Sequence, residues 1–257
     1  MRLFGITGPI GHGKTTLANA LIALETPSLH IEPSDIIAEV ANEWFATFPK
    51  DLLVDPLDYG LLNRWLDDLA RVVSHQIKPT TGNQLHITHD QVLGESKYYY
   101  KLFMHFNLIR QGVIPLGKAI VIDNKDKHRT ILQWIGGFLV HRVDSGIWFD
   151  HIERLITQAR QNGTKLVVVG GVRYPYDASV IRQNRGILIK LVRADLPERE
   201  LADITEEHRR EITVDTTVIS DARPEALPEL VKALYQDLLV GDLLKEYNSN
   251  DFLGLAE

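Results

Sequence analysis

No cysteine occurs anywhere in the 257-residue chain. Its absence excludes disulfide bonds, Cys-ligated zinc and a thiol nucleophile, and it fits a reducing cytosol. No stretch approaches the roughly 20 consecutive apolar residues needed to span a bilayer. The opening run Leu3-Phe4-Gly5-Ile6-Thr7 is broken by glycine before it reaches the length of a signal peptide. A cytoplasmic protein without a membrane partner is expected. Basic excess is missing too: 28 Lys and Arg against 34 Asp and Glu leave a formal net charge of −6. That balance argues against broad, charge-driven nucleic-acid binding, although a local basic cluster can still receive a phosphate. No internal repeat or low-complexity segment occurs.

What is present is an ordinary globular composition, 44% apolar and 24% charged. Such a chain can bury a substantial core without a disulfide or metal staple. Short apolar runs alternate with segments of helical spacing. Residues 3–7 read as a buried strand, 14–24 as a helix with Leu17, Leu21 and Leu24 on one face, and 28–32 as a second strand. Ser34 is the expected N-cap of a helix through about Phe45, with Asp35 and Glu39 favouring its N-terminal half. Helices are expected over 61–76, 97–111, 129–141 and 147–161, with a small strand or hairpin over 117–126. Strands over 165–169, 187–192 and 217–220 flank helices at 177–183 and about 224–239. This alternation implies an α/β fold with a mainly parallel, helix-covered sheet. The chain reads as one domain over 1–257, with a largely helical insertion at about 48–127 assigned to the acceptor side. A charged stretch within about 195–214 reads as a lid.

The segment Gly8-Pro9-Ile10-Gly11-His12-Gly13-Lys14-Thr15 completes the pattern G-x-x-x-x-G-K-[ST], with a strand before it and a helix after. Glycines let the backbone curl so that successive N–H groups and the helix N-terminus form a nest for polyanionic phosphate. Gly8, Gly11, His12, Gly13, Lys14, Thr15 and Thr16 are therefore the expected ATP-binding residues. Lys14 suits the β- and γ-phosphate oxygens, and the Thr15 hydroxyl suits Mg²⁺. A GTP-type base reader is not present: Asn124-Lys125-Asp126-Lys127 has its aspartate one place too early for Asn-Lys-x-Asp.

Three further segments carry a resemblance: KHRTILQWIGGFLVHRVDSGIWFD at 127–150, VVVGGVRYPYDA at 167–178 and EHRREI at 207–212. Together with the loop they resemble the phage-type deoxynucleoside monophosphate kinases. These lie within the P-loop nucleoside and nucleotide kinase group, of which dephospho-coenzyme A kinase is a more distant member. The resemblance implies a P-loop NTPase fold and acceptor-nucleotide roles for Arg129, Gln133, Arg142 and Trp148. An Arg fork suits a monophosphate dianion, and an amide or aromatic edge suits a base. Ser34 and Asp35 fall where such kinases begin their acceptor-binding helix, and Asp35 is the carboxylate expected to orient the attacking phosphate or the metal's water. Arg173 follows a strand at the carboxyl edge, where α/β sheets bind ligands. In the family an aspartate usually precedes the Val-Arg pair, and here that place is Gly171. Arg209 and Arg210, with His208 and Glu211, match a motif that more often reads His-x-Ser-Glu. Asp221 falls where related kinases hold the donor adenine.

The expected activity is ATP- and Mg²⁺-dependent phosphoryl transfer to a (deoxy)nucleoside monophosphate, with nucleotides as partners. Two alternatives stay open, a kinase for another small acceptor such as dephospho-coenzyme A and a non-catalytic nucleotide-binding module. The sequence does not decide between a monomer and a homodimer, nor does it name the acceptor base or sugar.

Overall fold

The structure, a computed structural model, describes residues 1–47, 59–77, 85–93, 104–105, 108, 111, 127–196, 208–220, 227–240 and 246–248. The expected strand at 117–126, Asp221 and most of the expected helix at 97–111 lie outside these residues, as do residues 197–207 of the lid stretch.

The chain divides into two compact units, Met1–Pro33 with Ile152–Glu257 and Ser34–His151. The first is built on a six-stranded sheet. Its strands are β1 (Arg2–Thr7), β2 (Ser28–Ile31), β3 (Leu166–Val169), β4 (Ile187–Arg193), β5 (Thr216–Ser220) and β6 (Glu246–Asn248). They lie in the order β2-β3-β1-β4-β5-β6, and every pairing is parallel. A parallel sheet covered on both faces needs strands that are apolar throughout. β3 meets that demand: all four residues of Leu-Val-Val-Val are buried. One face carries Phe4, Ile6, Val168, Ile189, Leu191 and Val218. They pack with Leu17 and Leu21 of α1 (Lys14–Ile22), and with Leu230, Leu234 and Leu238 of a helix at Leu227–Val240. The other face carries Leu3, Gly5 and Leu188 against Ile181 of the helix Pro175–Gln183. The approach is close enough that a Cβ on Gly5 would lie 2.9 Å from Leu188 Cδ2 and 3.0 Å from Ile181 Cγ1.

In chain order α2 is Pro33–Ala46, α3 is Tyr59–Gln76, α4 is His89–Leu93, α5 is Arg129–Arg142, α6 is Ile147–Gln161, α7 is Pro175–Gln183 and α8 is Leu227–Val240. The second unit is helical among its described residues. The helical spacing of Trp65, Leu66, Leu69 and Val73 does place one buried stripe on α3. The centre of this unit is aromatic. Trp44 and Trp134 stack with ring centroids 5.8 Å apart, and Trp134 stacks on Phe138 at 4.8 Å. His105 lies against Phe45 at 5.6 Å. Burial, aided by the neighbouring His128, pushes the His105 imidazole down to about 3, so it is neutral at physiological pH.

α2 begins at Pro33, one residue before the expected cap. Proline is favoured at the first helical position because its missing N–H would have no partner inside the helix. Ser34 is therefore in the first turn, and the expectation that it caps the helix is corrected. No helix among the described residues is long and apolar enough to cross a membrane.

Candidate functional site

The carboxyl edge of the sheet concentrates the features that can bind an anion. Thr7 ends β1, and the chain turns at once through Gly8, Gly11 and Gly13, with φ of 148°, 83° and 87°. These are left-handed values that L side chains rarely adopt. Gly8 is doubly constrained, because a Cβ there would overlap the carbonyl oxygen of Leu191 on β4. At Gly11 and Gly13 a Cβ would meet nothing within 4 Å, so there is open space beside the loop at both positions.

Gly13 is the N-cap of α1 and brings no side-chain capping bond, and the first turn holds no acidic residue. The first-turn amides of a helix have no partner within the helix, and the dipole favours negative charge at this end. An acid in the first turn would compete with a bound anion, and none is there. The Lys14 ammonium lies on the loop, donating to the carbonyls of Gly8 and Pro9 at 2.8 Å each. Thr15 and Thr16 are exposed at the same end.

His12 has a different position from its neighbours. It is buried, and its Nδ1 accepts a hydrogen bond from the Arg193 N–H at 2.9 Å. Acceptance at Nδ1 fixes that nitrogen without a proton. The ring thus ties the loop to the end of β4, and the His12 N–H donates within the loop to the Pro9 carbonyl at 3.4 Å.

A second group assembles after β3. Gly171 has φ of 60°. Arg173 follows in a half-buried position, and Asp177 on α7 accepts the N–H groups of Arg173 and Tyr174, both at 2.9 Å. This is the reciprocal half of an N-terminal cap, in which a third-position acid reaches back to the turn. The Tyr174 ring lies 5.6 Å from the His208 ring, which brings the stretch 208–212 beside Arg173. Of the two arginines there, Arg209 is buried and Arg210 exposed.

Asp177 was visible in the sequence only as a helix start; its burial was not. Desolvation pushes its carboxyl up to about 7, against the lowering effect of two N–H donors and the Arg173 charge. Below the unfolded value near 3.8 the carboxyl is protonated in both states. Between there and about 7 the folded state binds more protons than the unfolded one, so stability falls as pH rises through that window and levels off above it. Asp177→Asn keeps an acceptor for the two N–H groups and removes the titration. Thermal melts from pH 4 to 8 should show the wild-type decline flattened in this variant. An unchanged decline would count against the assignment.

The remaining expected site residues belong to the second unit. Asp35 is in the first turn of α2, half-buried. Arg129 and Gln133 are one turn apart on α5, so they share a face. Arg142 comes nine residues after Gln133, about 13 Å further along the axis and on roughly the opposite side of the helix. α5 thus brings Arg129 and Gln133 together, and Arg142 is not with them. Trp148 is buried, and its indole N–H donates to the Gly136 carbonyl at 3.2 Å. Trp148, expected at the acceptor, packs in the core and its one donor is engaged by α5.

Among the described residues no three His, Asp or Glu side chains converge into a metal cage. A magnesium ion that takes its other ligands from phosphate and water needs only one or two protein oxygens. The Thr15 hydroxyl, exposed at the mouth of the open loop, fits that lesser demand. No family model matches the chain, and no curated protein matches it in sequence.

Proposed function

We propose that this chain is a P-loop kinase that transfers the γ-phosphoryl group of ATP to the phosphate of a (deoxy)nucleoside monophosphate. The observation that carries the proposal is the loop from Gly8 to Thr15. Three glycines at positive φ, open space beside Gly11 and Gly13, a lysine on the loop and a helix N-terminus without a side-chain cap or first-turn acid suit a cradle for a polyphosphate.

In this reading the loop amides and Lys14 hold the β- and γ-phosphates, with the ammonium exchanging its two loop carbonyls for phosphate oxygens. Mg²⁺, held by Thr15 and phosphate oxygens, neutralises charge on the transferring group. Arg173 and Arg210 supply further positive charge toward the γ-phosphoryl oxygens. Arg129 and Gln133 receive the acceptor nucleotide, the guanidinium on its phosphate and the amide on its base. An acceptor phosphate oxygen bonds to the γ-phosphorus as the bond to the bridging oxygen breaks, and ADP leaves. Positioning and charge neutralisation are sufficient for such chemistry.

One observation favours a second reading. Gly171 stands where the resembling kinases have an aspartate, which suits a nucleotide-binding module without catalysis. Calorimetry with MgATP, followed by ADP release across a panel of nucleoside monophosphates and dephospho-coenzyme A, separates the readings. The expected outcome is MgATP binding with saturable ADP release for one monophosphate. Binding without acceptor-dependent release favours the module, and no heat of association in folded protein overturns both.

A further inference from the structure

The carboxyl edge holds an acid that the strand pattern did not single out. β2 and β3 run side by side with His30 opposite Val168 and Ile31 opposite Val169, and the Gly170 N–H continues the ladder to the Ile31 carbonyl at 2.9 Å. Glu32, the next residue of β2's path, is thereby set beside the Gly170-Gly171 turn. The fit is close. A Cβ on Gly170 would overlap Glu32 Oε2, and one on Gly171 would lie 2.8 Å from Glu32 Oε1. The two glycines leave room for a carboxylate that arrives from the neighbouring strand.

Register also fixes the face. Partners across parallel strands point the same way, so His30 shares a face with Val168 and Phe4, the face that α1 covers. Alternation along the strand returns Glu32 to that face. From the turn, the ladder reaches β1 directly, because the Val172 N–H donates to the Ile6 carbonyl at 3.1 Å, two residues before Gly8. The carboxylate and the phosphate cradle are therefore on one contiguous edge of one unit.

The groups there are not consumed by the fold. Glu32 Oε2 and His30 Nε2 are buried atoms without a hydrogen-bond partner among the described residues, 3.5 Å from each other. Buried polar atoms in this state are costly and usually serve a ligand or a water.

We propose that Glu32 is the acidic group of the nucleotide site. Reaching from β2 over the Gly170-Gly171 turn, it takes the place that an acid following β3 would fill, and His30 holds its orientation. It acts as a positioning residue, accepting hydrogen bonds from water on the nucleotide-bound Mg²⁺. The inference rests on the kinase reading only in requiring a MgATP site, and it explains how a chain with Gly171 retains an acid there.

The test is calorimetric. ATP affinity is measured with excess Mg²⁺ and with EDTA for wild type, Glu32→Gln, and a relocation variant, Glu32→Ala with Gly170→Asp. In wild type Mg²⁺ tightens ATP binding. Glu32→Gln should reduce that metal-dependent gain by about 10–100-fold, the usual effect of losing an outer-shell partner, while affinity in EDTA stays unchanged. The relocation variant should recover most of the gain, which a merely structural role for Glu32 does not predict. The same metal-dependent gain in Glu32→Gln as in wild type overturns the inference and leaves the kinase reading standing. Should Glu32→Gln fail to fold, the relocation variant decides: recovery supports the inference and no recovery overturns it. No ATP binding by wild type in either buffer removes the kinase reading, and this inference with it.

Discussion

Lys14→Ala should lower phosphoryl-transfer turnover by about 10²–10³-fold, the loss typical of removing one preorganised donor from a developing oxyanion. The fold should survive. Lys14 is half-buried and outside the apolar core, and its ammonium donates within the loop to the carbonyls of Gly8 and Pro9. The stability change should stay within about 1–3 kcal/mol, the net worth of two typical hydrogen bonds. Lys14→Arg is not a gentle substitute. A planar guanidinium is wider than an ammonium and cannot occupy the same point between two carbonyls 2.8 Å away. Both variants should retain native circular dichroism, and coupled ADP assays should find both impaired. Full turnover in Lys14→Ala would remove the donor site from the loop.

Much of the first unit could be read from residue pattern because its physical demands are local. Strands buried on both faces must be apolar runs, and the buried Leu166–Val169 segment announces itself in that way. Glycines at positive φ punctuate the loop, and α1 begins at Lys14 as expected. Where the outcome depended on partners distant in sequence, the pattern was silent. Glu32 meets Gly170 only through the register of β2 on β3, which no spacing within either segment encodes. Asp177 looks like any helix-start acid; its raised proton affinity comes from burial by the rest of the unit.

Trp148 offered a base a flat ring in sequence and is packed against α5 in the structure, since an apolar residue near a motif gives no sign of which way its helix turns. Arg142 shares a sequence motif with Arg129 and yet is on another side of their helix, a consequence of 3.6 residues per turn. Pro33 marks the start of α2, because its ring suits the first helical position, and Ser34 then falls inside the first turn. β6 is three residues, Glu-Tyr-Asn, without apolar alternation, and only pairing to β5 makes it a strand.

The largest loss of stability should follow Trp44→Ala. Trp44 is fully buried in the second unit, stacks on Phe45 at 5.6 Å and on Trp134 at 5.8 Å, and donates from Nε1 to the Trp65 carbonyl at 2.8 Å. Truncation removes the ring contacts, leaves a cavity and strands the Trp65 carbonyl, together worth about 3–5 kcal/mol for a buried tryptophan. Urea unfolding followed by circular dichroism should show the free energy of unfolding reduced by that amount, and a loss below about 1 kcal/mol would place Trp44 outside the core. A functional consequence follows from the same packing. Trp134 is on α5, the helix that carries Arg129 and Gln133, so losing its stacking partner loosens the seat of the proposed acceptor residues. Arg129 and Gln133 must hold their geometry to act together, and small displacements are costly in positioned chemistry. At a temperature where the variant is still folded, KM for the acceptor should rise while the affinity for MgATP, set by the loop of the other unit, stays near the wild-type value. A parallel loss of both affinities would show that α5 has no special part in acceptor binding.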